Sequence, residues 1–114
     1  MNFNYGYNYN NPQFSPYNQP YYQPVFKQYA VGSGIDNNEY NNIIKSCQQA
    51  YQSRMNPVST NAVNFIKSAL GGEWFVCCSN LNQKNFDFCI SSVQGGDFMS
   101  FSLDNTLFEV CRLR

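Results

Sequence analysis

Histidine is absent from this chain of 114 residues. That removes the commonest general acid–base group, Ser-His and Cys-His nucleophile pairs, and most catalytic zinc sites. Charge is scarce as well. Lys, Arg, Asp and Glu make up 12% of the residues and cancel to a net charge of zero, so the chain carries no basic footprint for nucleic acid or an anionic membrane surface. No run reaches the roughly 18–20 consecutive apolar residues of a membrane span. The N-terminus has no basic start followed by an apolar stretch, so no secretory signal is expected. Cysteines stand at 47, 77, 78, 89 and 111. They are odd in number, include no C-x-x-C pair, and lack the spacing of a small secreted scaffold, so reduced thiols in a cytosolic protein are expected. Cys77 and Cys78 are neighbours on an expected strand, point to opposite faces, and cannot share a metal. The glycine pairs 71–72 and 95–96 lack the surroundings of a phosphate-binding loop and read as a cap and a turn. Acidic residues are scattered, and Asp87 and Asp97 read either as a pair facing each other across a hairpin or, equally well, as solvated strand ends. The inventory points away from an enzyme and implies no cofactor and no metal.

Several features are abundant. Met1–Pro24 holds Asn, Gln, Tyr, Phe and Pro with no charged residue, and prolines recur at 12, 16, 20 and 24. Evenly spaced prolines break helix and ladder alike, so residues 1–24 are expected to be a disordered tail. Its aromatic and amide content suits weak self-association. The domain is expected at residues 25–114.

Val25–Val31 reads as a short edge strand, closed by Gly32-Ser33-Gly34. Asp36 followed three residues on by Glu39 is a capping box. Tyr40, Ile43, Ile44, Cys47, Ala50 and Tyr51 then form one apolar stripe along a helix of about four turns. Met55-Asn56-Pro57 ends it, and Pro57 opens a second helix with Asn56 or Ser59 as cap. Its stripe is Ala62, Val63, Ile66, Ala69 and Leu70, and Gly71-Gly72 closes it. Four short apolar runs follow: Trp74–Cys78, Phe86–Ser91, Phe98–Leu103 and Leu107–Leu113. Turn residues separate them, with Asp104-Asn105 as a two-residue hairpin signal. The order implies an α+β fold with two helices packed on one face of a small antiparallel sheet, a four-strand meander plus the N-terminal edge strand. Alternation sends Met99, Phe101 and Leu103 toward the helices and Phe98, Ser100 and Ser102 to the opposite face, which is expected to be open and half-polar.

From about Val25 to Arg112 the sequence resembles the small cytoplasmic dynein light chain family, of the dimeric peptide-binding type. The resemblance is carried by Glu73-Trp74 opening a core strand, Asn85-Phe86 with Ile90-Ser91, and the stretch FMSFSLDNTLFEVCR (Phe98–Arg112). Phe65-Ile66-Lys67 and Val25-Phe26-Lys27 also fit. It implies a two-fold homodimer in which one strand, here Asn85–Ser92, crosses to the partner's sheet. Extended peptides, often with a Thr-Gln-Thr-like motif, then add to that strand's free edge. The implied peptide-binding residues are Lys27, Asn85, Phe86, Asp87, Phe88, Cys89, Ile90, Ser91, Phe98, Ser100, Ser102 and Glu109. The implied dimer seam is Phe75, Phe86, Phe88 and Ile90. The implied setting is cytoplasmic and cytoskeleton-associated: a subunit of, or adaptor to, a microtubule motor complex, with dynein intermediate chain among the candidate partners. No nucleic acid or membrane partner is expected.

The sequence also departs from that pattern. Ser100 and Ser102 replace aromatic residues, Glu109 an aliphatic one, and Phe75 a histidine at the dimer seam, which removes the family's pH-linked dissociation. Ser92-Val93 occupies the region of another missing histidine, and the Pro57–Thr60 turn lacks the acidic-basic pair that holds a peptide glutamine. Losing two covered aromatic residues forfeits about 1.5–3 kcal/mol each, so the usual motif is expected to bind weakly. A scaffold or condensate protein, with a self-associating tail and a domain that only dimerises, is the alternative.

Overall fold

The computed structural model describes residues 23–54, 56–82 and 96–113. In chain order these form β1 (Phe26–Val31), α1 (Asn37–Ser53), α2 (Val58–Leu70), β2 (Glu73–Asn80), β3 (Phe98–Leu103) and β4 (Thr106–Leu113). Residues 1–22, most of the expected tail, and the run Phe86–Ser91 lie outside the described residues.

The helices start and stop where local chemistry requires. The Asp36 side chain accepts from the Glu39 N–H at 2.7 Å, and the Glu39 carboxylate accepts from the Asp36 N–H at 3.0 Å. The capping box therefore satisfies two otherwise unpaired donors at the start of α1. The helix ends at Arg54, which adopts a left-handed conformation with φ of 56°. At α2 the expectation needs correcting. Pro57 is itself the N-cap, no side chain caps the helix, and neither Asn56 nor Ser59 does so. An extended Pro57 leads the chain straight into Val58, leaving no side-chain acceptor at the cap position. Ile43, Cys47 and Ala50 of α1 and Ala62 and Ile66 of α2 are buried, while Tyr40, Ile44, Tyr51, Val63, Phe65 and Leu70 pack around them. Ala69, expected on the second stripe, is exposed, while Phe65 packs against the core.

The four strands form one antiparallel sheet in the order β1-β3-β4-β2, and the fold is α+β with two helices packed on that sheet. β3 and β4 pair as the expected hairpin, closed by Asp104 at φ 55°. The meander is corrected in one respect: β2 lies beside β4, the last strand, along its whole length. Met99, Phe101, Leu103, Phe108, Val110, Trp74 and Val76 are buried together with the helix stripes, which confirms the face assignment drawn from alternation. Phe101 and Phe108 stack at 5.5 Å between ring centroids.

Two polar devices fix the layers. Asp104 accepts from the Val25 N–H at 2.9 Å and from the Tyr51 hydroxyl at 3.1 Å, so the hairpin turn holds both the start of β1 and the end of α1. At the other end, Arg112 of β4 pairs with Glu39 of the capping box and lies over the Trp74 ring, 4.6 Å from its centroid. Gly32 and Gly96 meet backbone to backbone: the Gly34 N–H donates to the Gly96 carbonyl at 3.0 Å, and a Cβ added at Gly32 would fall 1.9 Å from that oxygen.

Candidate functional site

The sheet has a second face, turned away from the helices, and strand pairing places its residues in rows. One row runs Lys27, Ser102, Leu107, Ser79. The next runs Ala30, Ser100, Glu109, Cys77. A third runs Phe98, Cys111, Phe75. Side chains alternate across a strand, so the expected residues Lys27, Phe98, Ser100, Ser102, Glu109 and Phe75 come together on one surface. Asn85, Phe86, Asp87, Phe88, Cys89, Ile90 and Ser91 lie outside the described residues.

The surface differs from expectation at its centre. It was expected to be open, yet Ser100, Ser102, Leu107, Glu109 and Cys111 are all buried. β3 and β4 are interior strands, each paired along both edges. Alternation locates a face without saying how much of it water reaches. Exposure is concentrated at the margins: Phe75 is 50% exposed, Leu113 53% and Tyr29 47%. Lys27 is exposed too, and its ammonium lies 5.4 Å from the centroid of the Tyr29 ring. Leu113 and Tyr29 are not singled out from sequence, although the alternation that marked Phe98, Ser100 and Ser102 applies equally to their strands.

The electrostatics of this face centre on Glu109. Its Oε1 accepts from the Ser100 hydroxyl at 2.9 Å, whereas its Oε2 is buried with no hydrogen-bond partner. Burial pushes the Glu109 carboxyl above its ordinary range, against the smaller opposing pull of the Ser100 hydrogen bond. Asp97, expected as a solvated strand end, is instead buried where the chain enters β3, and its carbonyl accepts from the Arg112 N–H at 2.9 Å.

Thiol reactivity is suppressed at Cys47, Cys78 and Cys111. Cys78 is pushed up to about 12 by burial and by nearby Cys77, and burial likewise raises Cys47 and Cys111. A protonated thiol is a poor nucleophile and a poor metal ligand. Cys77 pairs opposite Glu109 and Cys78 opposite Phe108, so the two thiols lie on opposite faces of the sheet. Among the described residues no group of three or more Cys, Asp or Glu is placed to hold a metal ion, and no helix is long and apolar enough to cross a membrane. Among the described residues the outer edges of β1 and β2 carry no partner strand, and the face combines apolar margins with a buried polar centre. No family model matches the sequence, and no curated protein matches it.

Proposed function

We propose that this chain is a non-catalytic, two-fold dimeric hub that binds extended peptides by β-augmentation. In this reading it is a divergent relative of the small cytoplasmic dynein light chains. It serves in the cytoplasm as a subunit of, or adaptor to, a microtubule motor complex, a setting that follows from the resemblance.

The observation that supports the reading is the strand order β1-β3-β4-β2. In a simple meander the run Asn85–Ser92 would lie between β2 and β3. Both edges of β3 are already taken, by β1 and β4, and the inner edge of β2 is taken by β4. Among the described residues only the outer edges of β1 and β2 remain unpaired. A strand that leaves for the partner's sheet, and whose counterpart arrives at the outer edge of β2, satisfies this order under two-fold symmetry. Half-exposed Phe75 on β2 and Leu113 beside it on β4 then gain cover at the seam. A bare edge strand invites such pairing. A peptide adding beyond the crossing strand gains affinity from backbone hydrogen bonds and selectivity from alternate side chains over Phe98, Ser100, Ser102 and Glu109, with Lys27 at the flank.

Titration of the full chain with a Thr-Gln-Thr-bearing peptide by calorimetry, with light scattering on the same sample, tests this. The expected result is a dimer that binds the peptide weakly, with Phe98→Ala weakening binding by about tenfold, the equivalent of 1.4 kcal/mol. A monomer that binds nothing contradicts the reading.

A further inference from the structure

Glu109 occupies the middle of the sheet face that turns away from the helices, and it is 4% exposed. One carboxylate oxygen takes the Ser100 hydroxyl, and the other takes nothing. Buried polar atoms without a partner are rare in native proteins, because leaving one unpaired costs about 1–3 kcal/mol, and more when the group is charged. Its neighbours across the sheet are Ser100 and Cys77, and those along its own face of β4 are Leu107 and Cys111. The Ser100 proton is already spent on Oε1, and a thiol is a weak donor. Lys27, on the same face, stands two strands away, which is about 10 Å at ordinary strand spacing, and its ammonium lies over the Tyr29 ring. The described residues therefore hold a fixed acceptor with no donor, at the centre of the surface where a ligand's side chains would settle.

We infer that Ser100 and Glu109 form a selectivity site for a basic side chain, so that the extended peptide this face accepts carries a lysine or arginine directed at the free Oε2 of Glu109. The inference rests on the peptide-binding reading and sharpens it by naming the ligand's chemistry. Charge complementarity selects the occupant. An ammonium or guanidinium donates into the vacant lone pairs while Ser100 continues to hold Oε1, forming a charge-assisted pair shielded from water. An apolar residue at that point would leave the oxygen unpaired, and an acidic one would add repulsion, so discrimination arises as much from rejecting these as from attracting the cation.

The experiment uses the full-length protein on a surface and mixtures of nonapeptides built from Thr, Val and Ser. Each mixture has one position fixed as Lys, Arg, Gln, Met or Glu. The expected result is retention of the Lys and Arg mixtures at least about tenfold above Met at one position, as a hydrogen bond to a charged group warrants. The Glu mixture should be weakest. Glu109→Gln and Glu109→Val should reduce the preference to about twofold or less, with circular dichroism and light scattering confirming an unchanged fold and dimer. Ser100→Ala, which frees Oε1 but leaves the carboxylate in place, should lower the preference by less than either Glu109 variant does. A preference that persists in both Glu109 variants, or selection of Met, overturns the inference while leaving peptide binding intact. So does a large shift in dimer dissociation on Glu109→Val with peptide selection unchanged, which would assign Glu109 to the contact between copies. Retention of no mixture by a folded dimer overturns the peptide-binding reading and this inference with it.

Discussion

The two faces of one sheet divide the labour in this chain. Toward the helices, Met99, Phe101, Leu103, Phe108 and Val110 are all apolar and all buried against Ile43, Cys47, Ala50, Ala62 and Ile66. One residue along the same strands, the other face presents Ser100, Ser102, Glu109 and Cys111, ringed by exposed Phe75, Leu113, Tyr29 and Lys27. The first face is held by close packing, whose value depends on volume and shape. The second buries polar groups and leaves one oxygen of Glu109 without a partner, an arrangement that adds little to stability and that the proposed peptide-binding reading assigns to recognition. Adjacent residues on a strand can thus serve different ends without disturbing each other.

The largest effect is expected on the helix face. Phe101 is fully buried and stacks on Phe108, so Phe101→Ala should cost about 3–5 kcal/mol in urea unfolding, in line with other buried Phe truncations. Gly32→Ala attacks the joint common to both faces. Its methyl group would meet the Gly96 carbonyl at 1.9 Å, a backbone atom that cannot turn aside. A loss of about 1–3 kcal/mol is expected in the same assay.

Much of this division was legible in the sequence, for reasons that particular residues make plain. Period-two alternation in Phe98–Leu103 assigned each residue to its face, and the Asp36–Glu39 spacing marked the start of α1, because both signals act over a few residues. The position of β2 beside β4 was not legible, since strand order is decided by contacts distant in sequence. The burial of Ser100, Glu109 and Asp97 was missed for a related reason: burial depends on what surrounds a position in space. At α2, local signals offered Asn56 or Ser59 as cap, and the extended Pro57 took the place of both.

A third, smaller effect distinguishes the faces by pH. Glu109 has its carboxyl raised in the folded chain, so the folded state holds a proton that the unfolded chain releases. The stability this contributes is fully present below the ordinary carboxylate range and is lost as pH rises through the raised folded value. Glu109→Gln removes that linkage. Its unfolding free energy should vary less with pH across this window than the parent's, and urea midpoints measured across the window check it. The smallest effect on folding is expected at Phe75. Because half of it is exposed, Phe75→Ala should change unfolding within a chain by no more than about 0.5 kcal/mol, while shifting dimer dissociation measurably in sedimentation.

The central claim is that the outer edge of β2 belongs to a second copy of the chain. Hydrogen exchange of the β2 amides, followed as the full-length protein is diluted, tests it most directly, because exchange reports local opening residue by residue. The account predicts that the β2 amides turned away from β4 are protected at high concentration and lose protection on dilution, while the interior strands β3 and β4 remain protected throughout. Protection of β2 that does not change with concentration would contradict it.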